Sequence, residues 1–262
     1  MRSVCRAFWM VVAMLLAGSP DAWGQGEPRF KPVEAGKRVF RGAAGAELSY
    51  LWLTPREPKA GQRYPLVVCL HGSGGNSWAA GFLEQPAMRK DYPCFVMTPQ
   101  LAKTESWANT AVLERGLKRS EKLPLVVEAI KQLIKDHPID RDRIYVTGQS
   151  LGGVGAWGAA ARYPDLFAAS VPVAGAWRLE DAKTLVSTPV WAFHGEKDPT
   201  VPAKWSRELC AAIAKAGGTA KYTEYPGMGH GSWAKAYADA ELWQWLFQQR
   251  RKTEAAPGKS VR

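Results

Sequence analysis

A chain of 262 residues with 46% hydrophobic and 11% aromatic residues has the material for one large buried core, which excludes disorder over most of its length. The formal net charge of +11 invites a nucleic-acid reading. The basic residues are scattered between helical and loop segments with no basic and aromatic stripe, so no nucleic-acid partner is expected, and the charge supports only a general affinity for anionic surfaces or acidic polysaccharide.

At the start of the chain Arg2 and Arg6 precede the apolar run Ala7 to Ala17, and Ala22-Trp23-Gly24 follows with small residues where a signal peptidase cuts. Residues 1–24 therefore read as a cleaved secretory signal, and the protein as secreted or periplasmic. The apolar run is well short of the roughly 20 residues a spanning helix needs, so no stable membrane anchor is expected. Cys5 leaves with the signal. Cys69, Cys94 and Cys210 remain, an odd number without metal-ligand spacing, so no metal and no cofactor are implied. Cys69 and Cys94 lie in apolar runs and read as buried free thiols.

Residues 25–250 read as one domain. Arg38-Val39-Phe40 and Leu48 to Leu53 alternate apolar and polar, the pattern of an antiparallel hairpin. Tyr64 to Leu70, Cys94 to Pro99, Arg143 to Thr147, Ala168 to Ala174 and Val190 to His194 are continuous apolar runs suited to strands buried on both faces, and Lys221 to Tyr225 is a last strand. Between them Leu125 to Ile134, Trp205 to Ala214 and Tyr237 to Phe247 are amphipathic at helical period. This alternation predicts an α/β fold, a mostly parallel sheet of about eight strands with helices on both faces. Thr104 to Lys122 has weak periodicity and reads as a loop over one end of the sheet. Residues 251–262 read as a flexible basic tail.

In such a sheet, ligands bind beyond the carboxyl ends of the strands. Four strands end in polar or glycine-rich turns: His71-Gly72-Ser73-Gly74-Gly75, Gly148-Gln149-Ser150-Leu151-Gly152, His194-Gly195-Glu196-Lys197-Asp198, and Gly227 to Trp233 around His230. A strand running through Gly-x-Ser-x-Gly into the small-residue helix Gly153 to Ala161 presents its serine on a strained turn that only small neighbours permit. The chain order serine, aspartate, histidine matches a nucleophile that precedes its acid and its base.

These four blocks resemble the α/β-hydrolases over nearly the whole sequence. The Ser-Leu-Gly-Gly at 150–153 and the Asp-Pro-Thr-Val-Pro at 198–202 are most like the compact esterase branch, which includes secreted feruloyl and acetyl-xylan esterases, polyhydroxybutyrate depolymerases and the catalytic domains of prolyl-oligopeptidase-like proteins. The resemblance implies a single α/β-hydrolase domain that cleaves carboxylic esters through an acyl-enzyme. Ser150 is then the nucleophile, His230 the base and Asp198 the residue that orients it. The backbone amides of Ser73 and Leu151 form the oxyanion hole. Glu196 rivals Asp198 from the same turn, and His71 and His194 rival His230. Trp107, Gln149 and Trp233 are candidates for the substrate wall. The expected substrate is a small-molecule or polysaccharide-linked ester. Two alternatives stand beside this reading: a peptidase or amidase using the same three residues, and a non-catalytic polysaccharide binder on a hydrolase scaffold, for which the charge and the twelve tryptophans are the only motive.

Overall fold

The computed structural model describes residues 36–110 and 120–251. The expected signal segment, the approach to the first strand, residues 111–119 of the loop and residues 252–262 of the tail lie outside the described residues.

In chain order the strands are β1 (Gly36–Arg41), β2 (Glu47–Leu53), β3 (Tyr64–Leu70), β4 (Phe95–Pro99), β5 (Glu105–Ser106), β6 (Ser120–Glu121), β7 (Ile139–Gln149), β8 (Ala169–Val173), β9 (Val190–Gly195) and β10 (Ala220–Tyr225). The helices are α1 (Trp78–Leu83), α2 (Pro86–Asp91), α3 (Leu123–Asp136), α4 (Leu151–Arg162), α5 (Lys204–Lys215), α6 (Trp233–Ala238) and α7 (Ala240–Gln248), with a 3-10 segment over Leu179–Ser187.

Eight strands make one sheet in the order β1-β2-β4-β3-β7-β8-β9-β10, as the alternation of runs predicts. Only β2 runs antiparallel to its neighbours β1 and β4; the other pairs are parallel. The carboxyl ends of β3, β7, β9 and β10 therefore share one edge of the sheet. The central strands read as unbroken apolar runs because both of their faces are covered. In β3, Leu66, Val68 and Leu70 join the core made with α3, α4 and α5, while Val67 and Cys69 join the core made with α1, α6 and α7.

The small residues of α4 are what let it approach β3. A Cβ added at Gly155 would stand 2.6 Å from the Trp107 Cβ and 2.7 Å from Leu70 Cδ1. Cys69, Cys94 and Cys210 are buried and unpaired by disulfides. Burial pushes the Cys94 and Cys210 thiols up to about 12.

Two expectations need correction, and a third is refined. The helix expected over Tyr237 to Phe247 is two helices: Asp239 leaves helical geometry (φ −76°, ψ 113°) and its side chain accepts from Glu241 N, capping α7. Tyr237, Leu242, Trp243 and Leu246 are all buried in one core, so apolar spacing alone hides the break. Arg251, expected to begin the free tail, is pinned: its amide donates to Asp142 O at 2.9 Å and its guanidinium bonds Asp165 O and Asp142 Oδ1. The segment read as a loop over 104–122 is closed at its base, where β5 and β6 pair in parallel and Lys122 bridges to Glu105 at 2.9 Å.

Candidate active site

At the end of β7 the chain must reverse direction within one residue to enter α4. Ser150 makes that turn with φ 55° and ψ −117°, a conformation costly for a residue with a side chain and held only by surroundings that leave no alternative. Ser150 N donates to Val173 O at 2.9 Å, tying the turn to the end of β8. Gly148 and Gly152 are required by contact: a Cβ at Gly148 would stand 2.5 Å from the Gly152 backbone, and one at Gly152 would run into Leu70 O.

Two strands away, the turn after β9 is organised by its own aspartate. Asp198 Oδ1 accepts the amides of Thr200 at 2.8 Å and Val201 at 2.9 Å. Its Oδ2 lies 2.7 Å from His230 Nδ1, and His230 Nε2 lies 2.9 Å from Ser150 Oγ. The Asp198 carboxylate is fully shielded and the His230 side chain is 21% exposed. Burial opposes the charge on Asp198, but donors from His194, His230, Val201 and Thr200 outweigh it and hold the carboxyl well below the usual carboxylate range. Nδ1 of His230 faces a carboxylate oxygen that only accepts, so the proton sits on Nδ1 and Nε2 is left to take the Ser150 proton.

Glu196, the rival acid, does not reach an imidazole. Its Oε2 accepts from Gly227 N at 2.7 Å. With Glu196 N on Tyr225 O and Lys197 N on Met228 O, it stitches the turn after β9 to the one carrying His230. The approach is close: a Cβ on Gly195 would stand 2.6 Å from Met228 O. His230 thus inherits its place from the strand pair β9 and β10.

The turn after β3 faces Ser150 from the other side. A Cβ at Gly72 would lie 3.5 Å from the Ser150 Cβ. His71 Nδ1 donates to Gly72 O at 2.6 Å, Gly75 N donates to the same oxygen at 3.1 Å, and His71 Nε2 accepts from Leu101 N at 3.1 Å. Because the peptide is planar and trans, a Gly72 carbonyl held this way directs the Ser73 N–H to the opposite side. Burial lowers the pKa of His71, which keeps Nε2 free to accept. The amide of Leu151 opens α4, where the first N–H groups have no carbonyl one turn back to bond.

The structure brings Ser150, Asp198 and His230 into one hydrogen-bonded line, with Leu151 opening α4 next to the serine and the turn that carries Ser73 approaching it at Gly72. Trp233 is also at the site, half-buried, with its ring edge-on to His230 at 5.1 Å between centroids. Trp107 is not at the wall: it is 0% exposed, its Nε1 donates to His71 O at 2.9 Å, and its ring packs edge-on against His71. It supports the turn after β3 from beneath. Gln149 is likewise buried, and its Nε2 donates to Asn76 O at 2.6 Å, so it staples that turn to the strand that leads into Ser150. Sequence reasoning missed this bracing by Gln149 and Trp107, and did not show what His71 holds. The placement of His71 and Gln149 immediately beside the two turns is the one signal that marks them.

The dienelactone hydrolase family pattern matches residues 56–249. The crystal structure of a thermostable esterase superposes with a TM-score of 0.77 at 35% identity, covering 83% of this chain and 63% of that one. Poly(3-hydroxyalkanoate) depolymerase C of Paucimonas lemoignei is 32% identical over 117 residues, 42% of this chain and 28% of its own length. The acylaminoacyl peptidase of Pyrococcus horikoshii shares the fold, with a TM-score of 0.66 at 18% identity over 85% of this chain and 43% of that one. The chain thus spans less than two thirds of each of these three relatives. No helix among the described residues is long and apolar enough to cross a membrane.

Proposed function

Because the chain belongs to the dienelactone hydrolase family, within the α/β-hydrolases, we propose that it is an exported serine hydrolase that cleaves carboxylic esters through an acyl-enzyme. The observation that carries this reading is the unbroken line from Ser150 Oγ through His230 to Asp198, with bonds of 2.9 and 2.7 Å.

In the proposed reaction Ser150 Oγ attacks the ester carbonyl carbon while its proton passes to His230 Nε2. The carbonyl π pair moves onto oxygen, and that oxyanion is met by the amides of Ser73 and Leu151. When the tetrahedral adduct collapses, the C–O bond to the alcohol breaks and the alkoxide leaves with the proton from Nε2. A water then repeats the sequence on the acyl-enzyme, giving the acid and free Ser150. Asp198 stays ionised throughout and stabilises the imidazolium formed in each half. Losing one oxyanion donor of this kind typically costs roughly 3 to 4 kcal/mol of transition-state stabilisation.

The half-buried Trp233 beside His230 offers an apolar surface to an acyl group or an aromatic acid, and the net charge, +10 once Arg2, Arg6 and Asp21 leave with residues 1–24, favours esters carried on anionic polysaccharide. Export rests on the charged and apolar pattern of residues 1–24. The test is a rate profile over p-nitrophenyl esters of graded acyl length, methyl ferulate, acetylated xylan and matched p-nitroanilides. The reading expects ester turnover far above anilide turnover. Comparable rates on matched anilides support the amidase alternative, and binding of xylan without turnover of any ester supports the non-catalytic one.

A further inference from the structure

Strand β9 carries a second histidine to the same carboxylate. His194 is fully buried. Its Nε2 lies 2.8 Å from Val201 O and 3.3 Å from Asp198 Oδ2. Both oxygens only accept, so Nε2 bears the proton and points it into the acid turn. The turn is thereby closed on itself: Val201 gives its amide to Asp198 Oδ1 and its carbonyl to the ring that stands against Asp198 Oδ2. On the far side, His194 Nδ1 meets the Ser206 hydroxyl of α5 at 2.9 Å, and that hydroxyl lies 3.0 Å from Gly175 O in the segment after β8. One shielded ring therefore ties β9, the acid turn and α5 together. No step of the acyl transfer uses it.

We propose that His194 is a positioning residue for Asp198, holding the carboxylate in the one orientation that serves His230 and taking part of its negative charge. The inference rests on the proposed serine-hydrolase reading. A carboxylate shared between two imidazoles attracts a proton on His230 less strongly than an undivided one. The other charged or titratable groups around His194 are few. Glu224 is its register partner on β10, and Glu224 is engaged by Arg207 of α5 and by the Tyr222 hydroxyl. Glu224 also feels the His194 ring, but its oxygens are taken by Arg207 and Tyr222, whereas Asp198 Oδ2 is the carboxylate oxygen standing against the ring, and His230 is the group that reads the change.

The test compares His194→Leu, His194→Gln and Ser206→Ala in the full chain on p-nitrophenyl acetate. For His194→Leu the expected result is a kcat about tenfold lower, a KM within about twofold, and an acid limb of kcat/KM moved up by about half a pH unit to one unit. His194→Gln, whose amide donates as Nε2 does, restores most of kcat and returns the limb toward its wild-type position. Should His194→Leu fail to fold by circular dichroism, Ser206→Ala carries the test through a smaller displacement in the same direction. An acid limb that stays in place in a folded His194→Leu or Ser206→Ala overturns the proposal. So does a loss of kcat that His194→Gln leaves unrescued. Ser150→Ala in the same assay separates the two readings: activity that survives it overturns the nucleophile assignment, whereas activity that needs Ser150 but is indifferent to His194 overturns this inference alone.

Discussion

Asp198 and Glu196 sit two residues apart on one turn, and residue type alone does not choose between them. The backbone does. The amides of Thr200 and Val201 converge on Asp198 Oδ1 and rotate Oδ2 toward His230, while Glu196 is spent on Gly227 N. Asp198→Asn is therefore expected to lower kcat about 10⁴-fold, because an amide no longer fixes the imidazole in the useful tautomer. Glu196→Gln keeps an oxygen for Gly227 N and leaves kcat nearly unchanged; steady-state rates of the two variants decide. The hydrogen-bonded set Ser150, Asp198 and His230, proposed as nucleophile, acid and base, was legible in sequence because each follows a strand in a turn that holds glycine. Trp107 was not, since the polar stretch from Lys103 to Asn109 around it says nothing of the Gly155 gap into which its Cβ fits. The same holds for Gln149, whose side chain turns inward to Asn76 O although the strand that carries it ends at the site.

Among the elements, the central strands were readable as apolar runs, and β7 differs only in length, reaching from Ile139 to Gln149. Helices α1 and α2 span six residues each, too few for helical periodicity to emerge from a sequence. The break between α6 and α7 was hidden because buried residues on both sides keep a single spacing. Packing of α4 on β3 is the element-scale feature on which the site depends most, since it sets the strain at Ser150. Gly152→Ala forces a methyl into Leu70 O and is expected to destabilise the fold by on the order of 3 kcal/mol or more. Urea unfolding followed by tryptophan fluorescence measures this. A midpoint equal to wild type contradicts the account of the turn.

For the whole molecule, the charge pattern predicts how stability follows pH. Asp198, Glu121, Asp140 and Glu224 are each held below their ordinary values, burial opposing and their donors and cations prevailing. Each contributes stability that is present above the unfolded carboxylate range near pH 4 and is lost as pH falls through the folded values. His71 and His137 are lowered by burial, so their contribution is full above about pH 6.5 and declines as pH falls below it. Thermal melts are thus expected to hold level from about pH 7 to 8, to decline above about pH 9 because the buried Cys94 and Cys210 thiols can ionise there only on unfolding, to slip as pH falls below about 6.5, and to fall steeply below about pH 4; a melting temperature that rises on acidification from pH 7 to 5 contradicts this. The whole domain is organised to deliver one serine to one imidazole, and intact mass and peptide mapping after treatment with a fluorophosphonate test that delivery most directly. The account predicts a single adduct on Ser150, lost in Ser150→Ala and strongly slowed in His230→Ala. A wild-type protein that hydrolyses esters while Ser150 stays unmodified, or an adduct that persists in Ser150→Ala, contradicts it.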